Sequence, residues 1–312
     1  VFNYNKDKEY MNPPVIIFAY NRAKHLKRLI NSLLQNAESS ETNVVIFADG
    51  AKNQGDEKVA EVAETIRDIS GFKSIRAVFR NTNIGLAKNI INGVSSIFEE
   101  FEEAIVLEDD LVVTPYFLRY MKTALDYYKD TNAFSIAGYT PRIALPNGYN
   151  YDTYPIMRNC SWGWGTWKNR WELVDWQTKD FDSFFADSNA VKQFNIAGND
   201  LSTMLLKQEE GKINSWSIRF CYAGFKAAMP TIYPTRSYVL NGGADGSGTN
   251  VGSTTRYETV TAEGKNDINF CNTTDGNDII LKSFRETYNT STFRSLINWT
   301  KRKIWQLKHR TK

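Results

Sequence analysis

The stretch AIVLEDDLVV, Ala104–Val113, places three adjacent carboxylates, Glu108, Asp109 and Asp110, at the end of an apolar run. Ile105, Val106 and Leu107 read as a buried strand, because a short continuous apolar segment bounded by polar residues suits the centre of a parallel sheet. Three like charges at its end repel one another and lose hydration, so burial without a partner is costly. A divalent cation, a helix N-terminus or solvent would each relieve them, and the neighbouring sequence has to choose.

Upstream, strand and helix patterns alternate. PPVIIFAY (13–20) is a short apolar run after two prolines, and Leu26, Leu29, Ile30, Leu33 and Leu34 then recur at helical spacing. VVIFADG (44–50) is a second strand closed by an Asp-Gly turn. Val59, Val62, Ala63, Ile66 and Ile69 mark a helix, SIRAVF (74–79) a third strand, and Leu86, Ile90, Val94 and Ile97 a further helix leading into the acids. Strands alternating with helices of this length predict an α/β fold with a mostly parallel sheet flanked by helices. Ligands of such sheets lie beyond the carboxyl ends of the strands. The AYNR corner, Asp49 and the acid triplet all follow strands, so they are expected to meet along one edge.

Composition agrees with a folded, sizeable core: 312 residues, 42% apolar and 23% charged. Cys160, Cys221 and Cys271 are widely spaced and have no zinc pattern, which reads as reduced thiols and a cytoplasmic setting. No apolar run is long enough to span a bilayer. The net charge of +3 conceals a basic tail in which Arg294, Lys301, Arg302, Lys303, Lys308, Arg310 and Lys312 meet no acid. Phe293, Leu296, Ile297, Ile304 and Leu307 recur there near helical spacing beside Trp299 and Trp305. A basic amphipathic helix over 293–312 is expected to lie on an anionic membrane surface, as a peripheral protein at the inner face of the cell membrane. No nucleic-acid partner is expected.

Four segments in order, FAYNRA, FADG, NTNIGLAKNI and LEDDLVV, together resemble nucleotide-sugar glycosyltransferases of the GT-A, Rossmann-like fold. EDDL is similar to the triplet of N-acetylglucosaminyltransferase I and of bacterial surface-polysaccharide transferases, and SWGWGTWKNRW resembles bacterial members. The resemblance covers roughly 13–250. It implies that Tyr20, Asn21 and Arg22 line the nucleotide and that Asp49 accepts a base N–H. Gly85 would let the backbone approach the donor, and Lys88 would replace the usual Arg near the phosphates. Lys keeps the charge and loses the planar fork. Asp110 would hold Mn2+ or Mg2+, Asp109 would touch the donor ribose or sugar, and Glu108 would support both.

The family's catalytic base usually opens a helix that here begins near KINSWSIRF (212–220), where Asn214, Ser215, Trp216 and Ser217 offer no acid. Asp200 in AGNDLSTML and Asp245 in GGADGSGTN remain as base candidates. A third metal ligand is weak or missing, since Asn241 or Asn250 stands where a His is common. Trp162 and Trp164 are expected to wall an acceptor sugar, whose C–H faces pack on aromatic rings.

The expected organisation is a nucleotide-sugar-binding half at 13–140 and an acceptor-side half at 141–250. A loop-rich flap at 251–292 and the tail follow. The expected activity is metal-dependent transfer from a nucleotide-sugar donor to a hydroxyl of a glycan or lipid-linked glycan acceptor, inverting, in surface polysaccharide synthesis. Two rivals stand beside it. A sugar-nucleotide pyrophosphorylase would want a Gly-rich loop where AYNRAKHL stands. A non-catalytic carbohydrate-binding protein would explain the missing acid near Trp216.

Overall fold

The computed structural model describes residues 12–53, 55–242, 257, 259–264, 267–290, 300 and 305. The N-terminal half alternates as the apolar pattern dictates. In order come β1 (Val15–Ala19), α1 (Ala23–Leu34), β2 (Asn43–Ala48), α2 (Glu57–Arg67), β3 (Ser74–Phe79), α3 (Leu86–Ile97) and β4 (Glu103–Glu108). Every residue of β1 is buried, which is why it reads as an unbroken apolar run. Leu26, Leu29 and Leu33 of α1 are wholly enclosed. Each contributes about 1.5–3 kcal/mol relative to an exposed side chain.

The second half is less regular. It comprises β5 (Leu111–Val113), α4 (Phe117–Tyr128), β6 (Ser135–Ala137), β7 (Thr153–Ile156), β8 (Trp164–Trp167) and α5 (Lys168–Trp171). Then follow α6 (Phe181–Ala186), α7 (Ser188–Phe194), α8 (Leu201–Glu209), α9 (Trp216–Lys226), β9 (Thr231–Pro234), β10 (Val239–Asn241) and α10 (Asp278–Tyr288). Among the described residues the main sheet runs β3-β2-β1-β4-β8-β6-β9-β7. β1, β2, β3 and β4 are mutually parallel, as are β6 and β9. β8 and β7 run against their neighbours.

Three apolar clusters hold this together. Two cover the opposite faces of the sheet. The third, built on Phe181, Phe184, Phe185, Phe194, Leu201, Leu205 and Tyr222, joins the short helices α6 to α9 into a satellite.

Two differences from the sequence reading stand out. The stretch 251–292, expected as loop, contains α10, capped by Asn277 through its bonds to the N–H groups of Ile279 and Ile280 and anchored by buried Ile280 and Phe284. Its apolar positions are few and follow a Gly-, Asn- and Thr-rich run, which masks the periodicity. Trp305, expected at a lipid interface, instead packs edge-on against Phe181 at 5.5 Å and Phe185 at 5.0 Å. The remainder of 293–312, apart from Thr300, lies outside the described residues. No helix among the described residues is long and apolar enough to cross a membrane.

Candidate active site

Parallel pairing carries the ends of β1, β2 and β4 to one edge. The Asp109 N–H donates to the Phe18 carbonyl at 3.0 Å and the Asp49 N–H to the Ala19 carbonyl at 2.8 Å, extending the ladders by one residue beyond each strand. Tyr20, Asn21, Arg22, Asp49 and the acid triplet therefore gather at the edge that the strand order predicts.

Asp49 is buried and its carboxylate is turned into the protein. It accepts the backbone N–H groups of Gly50 at 3.0 Å, Ile84 at 2.9 Å and Gly85 at 3.0 Å. Two of its roughly four acceptor positions thus hold the loop between β3 and α3, and a third closes its own turn at Gly50. A base N–H is not its first partner, and its observed work is to shape that loop. Gly50 allows the close fit, because a Cβ there would collide with the backbone of Thr82 and Arg80. Asn83 adds a bond from its amide to the Gly50 carbonyl at 3.0 Å. Gly85 caps α3 at φ 80°, a backbone conformation only glycine adopts without strain, although space for a side chain exists. Lys88 is exposed on the first turn of α3. Lys52, not singled out in the sequence, lies 5.9 Å over the Tyr20 ring.

The acids answer one another unequally. Glu108 pairs in register with Phe18, and burial, with Asp110 and Asp109 adding repulsion, pushes its carboxyl up to about 8. Asp109 is 3% exposed, and burial pushes it up to about 6 against the opposing pull of Arg22. Its carboxylate accepts the Tyr20 N–H at 3.3 Å and Arg22 Nη2 at 2.5 Å. That correction matters: Asp109 anchors Arg22 from below and does not present itself to a ribose. Arg22 Nη2 also reaches Asp110 Oδ2 at 3.1 Å. Its guanidinium is raised further above its ordinary value, because Asp109 and Asp110 outweigh the cost of burial. The other oxygen, Asp110 Oδ1, accepts from no described residue, and the Asp110 carbonyl receives the Gly242 N–H at 2.8 Å. β10 pairs antiparallel with β5 and sets Asn241 opposite Leu111, the residue after Asp110.

Among the described residues no group of three or more His, Cys, Asp or Glu side chains is arranged to hold a metal ion. The donor set nevertheless fits a hard divalent cation of the kind that takes one or two carboxylates and completes its shell with water and phosphate oxygens. Three acids face one arginine, and Asp110 keeps one oxygen open.

On the acceptor side the structure corrects two expectations. Trp164 is 1% exposed and stacks on Trp216 at 4.8 Å and on Trp171 at 6.0 Å, so it is core and cannot meet a sugar. All four residues of β8 are buried, and Trp164 lies on the sheet face that it shares with Trp171, Trp216 and Phe220. Asp200 is not a free base. Arg158 clasps both its oxygens, Nη1 to Oδ1 at 2.8 Å and Nη2 to Oδ2 at 2.9 Å, and lies 3.9 Å over the Tyr288 ring. Trp162 stays half-buried, edge-on to Tyr139 at 4.6 Å and Tyr257 at 5.2 Å. Ser215 caps α9 through the Ile218 N–H, and Ser217 accepts from Asn159 at 3.0 Å, so no acid opens that helix. Asp245 and Asn250 lie outside the described residues.

Arg158 and Tyr288 escaped the sequence reading because neither sits in a motif and their partner Asp200 is distant in sequence. The three cysteines are free and buried.

Comparison with curated proteins finds no match. Among solved structures, the Staphylococcus aureus TarS fragment 1–349 bound to UDP is similar, with 15% identity, a TM-score of 0.43 and coverage of 73% of this chain and 60% of that one. The mannosyltransferase PcManGT from Pyrobaculum calidifontis, in complex with GDP-Man and Mn2+, has 16% identity, a TM-score of 0.36 and coverage of 53% and 46%. The chain thus spans less than two thirds of either structure. The model of the family described as glycosyl transferase family 2 matches residues 15–185, more than half of the chain, and coincides with the strands and loops that build this edge. The chain belongs to glycosyl transferase family 2.

Proposed function

We propose that the protein transfers a sugar from a nucleotide-sugar donor to a hydroxyl of a glycan acceptor, with inversion, using Mn2+ or Mg2+, in the synthesis of a surface polysaccharide. The observation that carries this reading is the surplus of carboxylate at the strand edge, Asp109 and Asp110 against the one cation Arg22, with an Asp110 oxygen left open. Asp110 is the residue that would hold the cation. The cation, when bound, neutralises negative charge on the diphosphate leaving group.

The chain's own residues supply the rest. The loop pinned by Asp49 offers Gly85 and the N-terminus of α3 to the donor, with Lys88 exposed nearby as a further positive charge. Tyr20 and Asn21 border the nucleotide, and Trp162 is the remaining aromatic for the acceptor. Protonated Glu108 supports the acids without adding charge at neutral pH.

Asp200 is spent on Arg158, so Asp245 carries the expectation of a general base. Family membership sets the pyrophosphorylase aside. The absence of an acid at the start of α9 supports, as a second reading, a member that binds donor and glycan without turnover. The cationic composition of 293–312 supports contact with an anionic membrane and a lipid-linked acceptor, without help from the docked Trp305.

The test is a thermal-shift and calorimetric panel of UDP, GDP and dTDP sugars with and without Mn2+, followed by turnover assays on glycan acceptors. Cation-dependent binding of one nucleotide class with sugar release supports the proposal. Binding without any transfer favours the second reading, and no binding rejects both.

A further inference from the structure

Arg22 makes its two contacts with the acids through a single nitrogen. Nη2 donates to Asp109 Oδ1 at 2.5 Å and to Asp110 Oδ2 at 3.1 Å. Nε and Nη1 donate to no described residue, and the side chain is 25% exposed. The backbone, by contrast, is fixed: the Arg22 carbonyl accepts the His25 and Leu26 N–H groups at the start of α1. Asp109 is fixed as well, buried and tied to the Tyr20 N–H. A long, flexible cation is thus hinged on a rigid anion, with its longer contact on the more exposed of its two carboxylates.

We propose that Arg22 is an internal counter-cation that occupies Asp110 until donor and divalent cation arrive, and then turns to the donor's diphosphate. The inference rests on the proposed cation at Asp110. A guanidinium and a divalent cation sharing Asp110 repel each other, so binding of the cation releases the longer Arg22 contact. The shorter contact to Asp109 survives as the pivot. Nε and Nη1 then form the planar fork that suits phosphate oxygens. Arg22 therefore opposes the cation alone and favours the cation together with a diphosphate, which makes cation and nucleotide bind cooperatively by reciprocal linkage. A residue serving only the nucleotide would not oppose the cation.

The experiment measures Mn2+ binding by electron paramagnetic resonance and calorimetry, to the full chain and to Arg22→Met. Each is titrated with Mn2+ alone and with Mn2+ plus UDP, GDP or dTDP. Removing a unit positive charge beside the site should tighten binding of Mn2+ alone about tenfold or more, the scale on which a neighbouring charge shifts proton binding. The same variant should bind the Mn2+–nucleotide pair more weakly than the parent protein and lose most of the coupling between the two. Arg22→Lys keeps the charge and lacks the fork, so it should match the parent with Mn2+ alone and fall short with the nucleotide.

Thermal melts confirm folding. Should Arg22→Met not fold, Arg22→Gln takes its place and the Lys variant still separates charge from fork. If Mn2+ alone binds the neutral variant no more tightly than the parent, the exchange is wrong while the cation site stands. If the parent takes up Mn2+ neither alone nor with any of the diphosphates, the proposed cation fails and the exchange falls with it.

Discussion

Among the described residues, two arginine–aspartate clusters look alike in a residue inventory and differ in every physical respect. Arg158 and Asp200 close on each other with two parallel bonds, one cation to one anion, and the guanidinium is covered by the Tyr288 ring. Arg22 offers one nitrogen to two acids, with a third, Glu108, behind them. The first pair is balanced and saturated, and it joins the segment after β7 to α8 and α10. The second leaves negative charge uncompensated and an Asp110 oxygen open. A closed fork holds parts of a fold together, whereas a strained, undercompensated cluster is kept where a ligand completes it.

The largest effect expected from this contrast is on stability. Asp200→Ala leaves the Arg158 guanidinium enclosed without its anion, at a cost of about 3–5 kcal/mol. Chemical denaturation measures it directly. Asp200→Asn should retain donor binding and turnover wherever the variant is folded. A hundredfold drop in kcat in folded Asp200→Asn would make Asp200 a base after all and erase the distinction between the two clusters.

Asp110→Ala should behave in the opposite way. The folded state loses a repelled charge, so melting temperature without ligand should hold or rise, while cation-dependent nucleotide affinity should fall at least about a hundredfold, about 2.7 kcal/mol. Calorimetry of nucleoside diphosphates with Mn2+ checks both signs. Unchanged affinity in Asp110→Ala would remove the carboxylate from the cation site.

The contrast also explains what could be read before the structure. The half with regular periodicity was legible to within two residues: β1, β2, β3 and β4 overlap the apolar runs, and the acid triplet lies at the edge their order requires. In that half, local pattern and tertiary burial agree. On the other side they do not. β6, β7 and β8 are only three or four residues long, so alternation has no room to declare which face Trp164 takes. Asp200 reads as a base candidate because its partner, Arg158, is brought in by the fold from a segment with no motif. Asp49 shows a subtler gap. An Asp-Gly turn was visible, but the reach of its carboxylate to the backbone of Ile84 and Gly85 depends on β2 and β3 being neighbours.

A smaller effect concerns pH. The Glu108 carboxyl is raised from 4.5 to about 8 in the fold by burial first and by Asp110 and Asp109 next. The folded state therefore holds this proton more firmly than the unfolded chain. Its stabilising contribution is fully present below about pH 4.5 and is lost as pH rises through 8. We expect the ligand-free protein to lose about 1–2 kcal/mol between pH 5 and 8 from this group, less than the full shift implies because the site relaxes and hydrates. Glu108→Gln should flatten that slope. Glu103, at the opposite end of β4, is raised to about 7 chiefly by burial, so Glu103→Gln should flatten only the part of the slope below that pH. If Glu103→Gln flattens the profile and Glu108→Gln does not, the strand end at the site is not where the charge is stored.

The smallest expected effect separates the tail's aromatic from its charge. Trp305 meets Phe181 and Phe185 edge-on, contacts worth about 0.5–1.5 kcal/mol beyond the area they bury. Trp305→Ala should therefore lower unfolding free energy by about 1 kcal/mol and leave binding to anionic vesicles unchanged, since every cation of 293–312 remains. Deleting 293–312 removes those cations, each worth about 1 kcal/mol near an anionic leaflet, and should abolish vesicle binding while transfer to a short soluble acceptor continues. Co-sedimentation at low and high salt, beside denaturation curves, distinguishes the two roles. If Trp305→Ala releases the protein from vesicles and leaves its stability untouched, the ring belongs to the lipid and not to the satellite of α6 to α9. If the full chain ignores anionic vesicles at low salt, the tail serves the fold alone, and the acceptor need not be lipid-linked.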